Sequence, residues 1–73
     1  MAKVEQTIAV TINGTPREVD AGRTLPELLA ALGLDPRLVV VEHNRAIVER
    51  ARMAAVEVKA GDTLEIVHFV GGG

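Results

Sequence analysis

An α+β fold, in which a single helix covers one face of a mixed β-sheet, is predicted by three features of the chain. It opens with a period-two apolar run broken by Asn13-Gly14, it contains one leucine stripe at helical spacing, and its second half holds two dense β-branched runs, Leu38–Val41 and Leu64–Val70. Each element follows from its own residues.

From Val4 to Ile12, Val4, Ile8, Val10 and Ile12 fall on one face and Glu5, Thr7, Ala9 and Thr11 on the other, the alternation of a half-buried strand. Asn13-Gly14 suits the positive φ angles of a type I′ hairpin turn, and a second strand runs through Thr15-Pro16-Arg17-Glu18-Val19. In that register Val19 faces Ile8, and Arg17 lies opposite Val10 with its alkyl stem along the core rim. The period changes at Thr24-Leu25-Pro26-Glu27, where Thr24 suits an N-cap, Glu27 closes a capping box and Pro26 is tolerated in the first turn. Leu25, Leu28, Leu29 and Leu32 then recur at i, i+3, i+4 and i+7, and Gly33 supplies the residue that ends the helix. So short a helix is unstable alone in water, so its leucines belong to the core rather than to a binding box.

Leu38-Val39-Val40-Val41-Glu42-His43 reads as an interior strand, followed by a turn at Asn44-Arg45 and the short segment Ala46-Ile47-Val48. Residues 49–58 show no clear period. Lys59-Ala60-Gly61-Asp62 is a turn, and Thr63 to Val70 is the last strand, with Leu64 and Ile66 on one face and Glu65, Val67 and Phe69 on the other. Hairpin, helix, strand, short segment and strand in that order form the β-grasp arrangement. Its one helix leaves the opposite sheet face, carrying Thr7, Thr11, Val67 and Phe69, open for partners.

With 73 residues, 48% of them hydrophobic, the chain is one small domain near the lower limit of what folds unaided. Eight basic against ten acidic residues give a net charge of −2, which offers no basic stripe for phosphates, and Phe69 alone gives no stacking platform, so nucleic acid is not an expected partner. No run is long and apolar enough for a membrane span or a secretory leader, and the chain reads as a soluble cytoplasmic protein that is a monomer when free. The absence of cysteine removes disulfides, thiolate catalysis and iron–sulfur ligation, which excludes a ferredoxin-like use of the fold.

Side-chain catalysis has little to work with. There is no serine, and the two histidines, His43 and His68, fall on different strands, so no triad forms and no metal site or bound cofactor is expected. Asp62 and Glu65 read as solvated charge at a turn and a strand start, and turn geometry alone accounts for Asn13 and Asn44. What remains is Val70-Gly71-Gly72-Gly73. A glycine tail carries no Cβ, so it can thread a narrow channel and bring an α-carboxylate against a nucleotide. The expected layout is a domain over 1–70 and a flexible tail over 71–73.

Across essentially its full length the chain resembles the sulfur carrier proteins of thiamine biosynthesis, the ThiS family of ubiquitin-like β-grasp proteins. The resemblance rests on Ile12-Asn13-Gly14, Thr24-Leu25-Pro26-Glu27-Leu28-Leu29, Leu32-Gly33-Leu34 and Val39-Val40-Val41-Glu42-His43-Asn44. It continues through Ile47-Val48, Gly61-Asp62-Thr63-Leu64-Glu65-Ile66-Val67 and Phe69-Val70-Gly71-Gly72-Gly73. Two departures are Glu49, where family members often carry proline, and a few additional N-terminal residues.

The resemblance implies a carrier rather than an enzyme. It implies that the Gly73 carboxylate is adenylated by an ATP-dependent ThiF-like enzyme, converted to a thiocarboxylate with sulfur from a donor such as a cysteine desulfurase, and presented to a ThiG-like thiazole synthase. It makes Gly71 and Gly72 the threading tail and Val67, Phe69 and Val70 a docking surface. A carrier for molybdopterin or transfer-RNA thiolation, a ubiquitin-like modifier joined to lysines through Gly73, and an interaction module with an inert tail remain as alternatives.

Overall fold

The structure, a computed structural model, describes residues 6–69. Five strands and one α-helix follow in the order β1 (Thr7–Ile12), β2 (Thr15–Asp20), α1 (Leu25–Ala31), β3 (Val39–His43), β4 (Ala46–Val48) and β5 (Thr63–His68). Short 3₁₀ segments, Pro36–Leu38 and Arg50–Ala55, precede β3 and follow β4. The sheet order is β2-β1-β5-β3-β4, so β5 is central, with β1 parallel on one side and β3 antiparallel on the other.

The hairpin forms in the expected register, Ile8 opposite Val19 and Val10 opposite Arg17. Asn13 and Gly14 hold φ of 51° and 81°, the pair of positive angles that a type I′ turn requires. In α1 the Glu27 carboxylate accepts the Thr24 N–H at 2.9 Å, which satisfies a donor left over at the helix start and draws the Glu27 carboxyl below its ordinary pKa range. Gly33, at φ 79°, donates to the Ala30 carbonyl at 3.0 Å, and Leu34 reaches back to Leu29 at 2.8 Å, the paired bonds of a Schellman stop.

Leu25, Leu28 and Leu29 pack into the sheet against Val10, Ile12, Val39, Val41, Leu64 and Ile66, with Leu32 half-buried at the margin. Strand alternation alone supplies that face, because every second residue of β1, β3 and β5 points to the helix. Val39 and Val41 stand opposite His68 and Ile66 across the β3–β5 ladder, which makes β3 an interior strand. The segment whose period was illegible turns out to close the core. Met53 and Val58 are buried, Leu25 N–H donates to the Val56 carbonyl at 3.0 Å, and a single bridge joins Thr24 to Glu57. None of the described helices is long and apolar enough to cross a membrane.

Candidate functional site: the last strand and the open sheet face

β5 is held at its start by polar side chains that do more than solvate or shape their turns. Asp62 is not solvated, as expected from its turn, but 9% exposed. Its carboxylate accepts the Lys59 N–H at 2.9 Å, the His43 ring Nε2–H at 2.7 Å and the Asn44 amide at 3.1 Å. Burial pushes the Asp62 carboxyl up in pKa, but the Lys59 N–H, the His43 ring and the Asn44 amide together outweigh it and leave the group below its ordinary value. His43 is therefore engaged at a strand end rather than being a free surface residue. Among the described residues there is no group of three or more side chains placed to hold a metal ion.

The two asparagines also do more than permit their turns. Asn44 Oδ1 accepts the Thr63 N–H at 2.9 Å while its own N–H donates to the Thr63 carbonyl at 2.8 Å, so the β3–β4 turn grips the first residue of β5. Asn13 bridges the chain at long range. After Ile12 pairs with Leu64, the Asn13 side chain takes the place of a peptide group, accepting from Ile66 N–H at 2.7 Å and donating to its carbonyl at 3.2 Å. An amide side chain has one acceptor and two donors, which is what extending a ladder by one step needs.

Beyond Ile66 the strand is held, among the described residues, from the β3 side, through the Val40–Val67 and Val39–His68 pairings and a bond from Phe69 N–H to the Leu38 carbonyl at 2.8 Å. Here the open face becomes apolar. Ile47 is 67% exposed and Val67 62%, with Phe69 and Leu38 close to half exposed. Val67 and Phe69 thus lie on the outward face as expected, and Ile47 joins that face through its register opposite Glu42. The sequence reading missed Ile47, although alternation along Ala46-Ile47-Val48 placed it there. Val70, the third expected docking residue, and Gly71, Gly72 and Gly73 lie outside the described residues.

A five-stranded mixed sheet with one helix against one face, the other face covered by none of the described elements and apolar where the last strand ends, defines a small ubiquitin-like β-grasp protein. The family model for ThiS matches residues 10–73, and the chain belongs to the ThiS family. A ThiS protein of Geobacter metallireducens superposes with a TM-score of 0.78 at 39% identity, covering 90% of this chain and 100% of the other. The sulfur carrier protein ThiS of Bacillus subtilis is 46% identical over 50 residues, 68% of this chain and 76% of its own. Thiazole synthases of Magnetococcus marinus and Paramagnetospirillum magneticum are 45% and 48% identical over 64 residues, 88% of this chain. The chain spans only 20% of the length of those two synthases.

Proposed function

We propose that this chain is a cytoplasmic sulfur carrier for thiamine biosynthesis and that its working group is the α-carboxylate of Gly73. The observation that carries the reading is the family match, which runs through Gly73 and so takes in the glycine tail as well as the domain. An α-carboxylate has a pKa of about 3.3–3.7, so near neutrality it is an anion without a leaving group. In the proposed first step a carboxylate oxygen attacks the α-phosphorus of ATP on a ThiF-like enzyme and pyrophosphate departs, leaving an acyl adenylate. In the second, the terminal sulfur of a persulfide on a donor such as a cysteine desulfurase adds at the carbonyl carbon and expels AMP, and a thiol reductant then attacks the donor-side sulfur of the resulting acyl disulfide, leaving a disulfide between reductant and donor. The product is a thiocarboxylate. The cysteine-free chain then holds sulfur at its terminus.

Thiazole synthase as the acceptor is supported by the two synthases in which a segment similar to this chain forms a fifth of the protein. Docking through Val67, Phe69 and Val70 is supported by reach. Gly73 follows Phe69 by four residues, no more than about 14 Å of extended chain, so an enzyme holding the tail must rest near the end of β5.

Intact-protein mass spectrometry after incubation with the adenylating enzyme, ATP and a sulfur source tests the chemistry. A mass gain equal to exchanging one oxygen for sulfur is expected. An unchanged mass, under conditions where a ThiS protein of known activity reacts, would remove the carrier reading. A protein conjugate in its place would mark a ubiquitin-like modifier.

A further inference from the structure

The β1–β2 and β3–β4 turns are built alike and differ in one residue type. Asn13-Gly14 and Asn44-Arg45 each put two successive residues at positive φ, 51° and 81° in the first and 51° and 73° in the second. Both asparagines are exposed, and each directs its side-chain amide to β5. The backbone nitrogen after Asn13 belongs to a glycine, and beyond its chain neighbours no heavy atom lies within 4 Å of where a Cβ would stand. The nitrogen after Asn44 belongs to an arginine, whose side chain crowds it.

An asparagine side-chain amide can be attacked by the backbone nitrogen of the next residue, most easily where that residue is glycine and no side chain stands in the way. The nitrogen gives up its proton and bonds to Cγ, the Cγ–Nδ2 bond breaks, and ammonia leaves a cyclic succinimide behind. Water then opens the ring at one carbonyl or the other, giving aspartate or isoaspartate. In the folded protein this reaction is held off. Asn13 Oδ1 accepts from Ile66 N–H at 2.7 Å and Nδ2 donates to the Ile66 carbonyl at 3.2 Å, so the amide is aimed across the sheet. Its Cγ cannot turn onto the Gly14 nitrogen until both bonds break.

We propose that Asn13 is a latent deamidation site, kept in its amide form by the rung it makes with Ile66 and converted only when that rung opens. The change does not reverse in water, since the ammonia is lost. An aspartate at position 13 still offers an acceptor to Ile66 N–H, but it turns a second acceptor towards the Ile66 carbonyl, where a donor stood. Isoaspartate adds a methylene to the backbone of a two-residue turn closed by the Ile12–Thr15 pair, and loop length sets the hairpin register. Either product loosens the stretch of β5 past Leu64 that Asn13 ties to β1.

The test is ageing of the full wild-type chain at mildly alkaline pH in buffer, in urea below its unfolding transition and in urea above it. Peptide mapping by mass spectrometry reads the exchange of an amide NH2 for OH at Asn13 and Asn44, and hydrogen exchange reads opening at the Ile66 N–H. Above the transition Asn13 should convert readily, with Asn44 lagging behind it. In buffer Asn13 should slow about tenfold or more, because opening of the rung then limits the reaction. Below the transition its rate should rise with urea in step with exchange at Ile66. The variant Asn13→Asp should unfold at a lower urea midpoint than the wild type. No conversion at Asn13 in the unfolded chain, equal rates in folded and unfolded chains, or a rate that does not follow exchange at Ile66 would each overturn the latent site. An unchanged midpoint in Asn13→Asp would overturn the loosening of β5.

Discussion

The two ends of β5 are built on opposite plans. At its start, the carboxylate of Asp62, both amide groups of Asn44 and the ring of His43 lock the strand into the β3–β4 turn, with Leu64 buried beneath. At its finish, Val67 and Phe69 stand outward, and among the described residues the ladder past Ile66 continues on the β3 side only. Stability is concentrated upstream. The downstream end can then expose the apolar side chains of Val67 and Phe69 without the fold depending on them.

Substitutions along this one strand should separate the two ends. Leu64→Ala removes a side chain that is 1% exposed from the core and is expected to cost about 2–5 kcal/mol in urea unfolding. Asp62→Asn should cost about 1–3 kcal/mol, because three donors lose an anionic acceptor. The pH profile adds a second reading at this residue. The folded pKa of Asp62 is depressed, so its contribution is present above the ordinary aspartate value, about 3.9, and is lost as pH falls from there through the folded value. Urea midpoints of the wild type should therefore fall on acidification through that window, and Asp62→Asn should flatten part of that fall.

Asn13→Ala leaves the N–H and carbonyl of Ile66 without their side-chain partner and is expected to cost about 1–3 kcal/mol, much as losing a rung of the ladder would. Arg45 sits at φ 73°, where a Cβ is strained and glycine is not, so Arg45→Gly should stabilise by about 0.5–1 kcal/mol. At the other end, Val67→Ser should change stability by no more than about 0.5 kcal/mol while raising KM for the carrier in adenylation. A loss at Val67 as large as that at Leu64 would erase the distinction between the two ends.

Much of the fold was legible because its signals are local. Alternation in β1, Asn13-Gly14, the leucine stripe and Gly33 each specify structure within a few residues, and each appears as expected. The clamp on β5 was not legible, since its partners are far apart in sequence: Asp62 meets His43 across 19 positions, and Asn13 meets Ile66 across 53. A lone carboxylate in a turn carries no mark of burial. Residues 49–58 resisted for a different reason. A 3₁₀ segment that buries Met53 alone produces no apolar stripe, and Val58 enters the core singly after it. On the candidate site, the outward parity of Val67 and Phe69 followed from period two.

The most direct test of function residing beyond the finish of β5 is exchange of labelled pyrophosphate into ATP, catalysed by the adenylating enzyme, with the full chain and with a variant lacking Gly73. Exchange should occur with the full chain and be lost in the deletion, whose urea midpoint should match the wild type because a glycine buries almost no apolar surface. Undiminished exchange in a folded deletion variant would contradict the assignment of the Gly73 carboxylate as the reacting group.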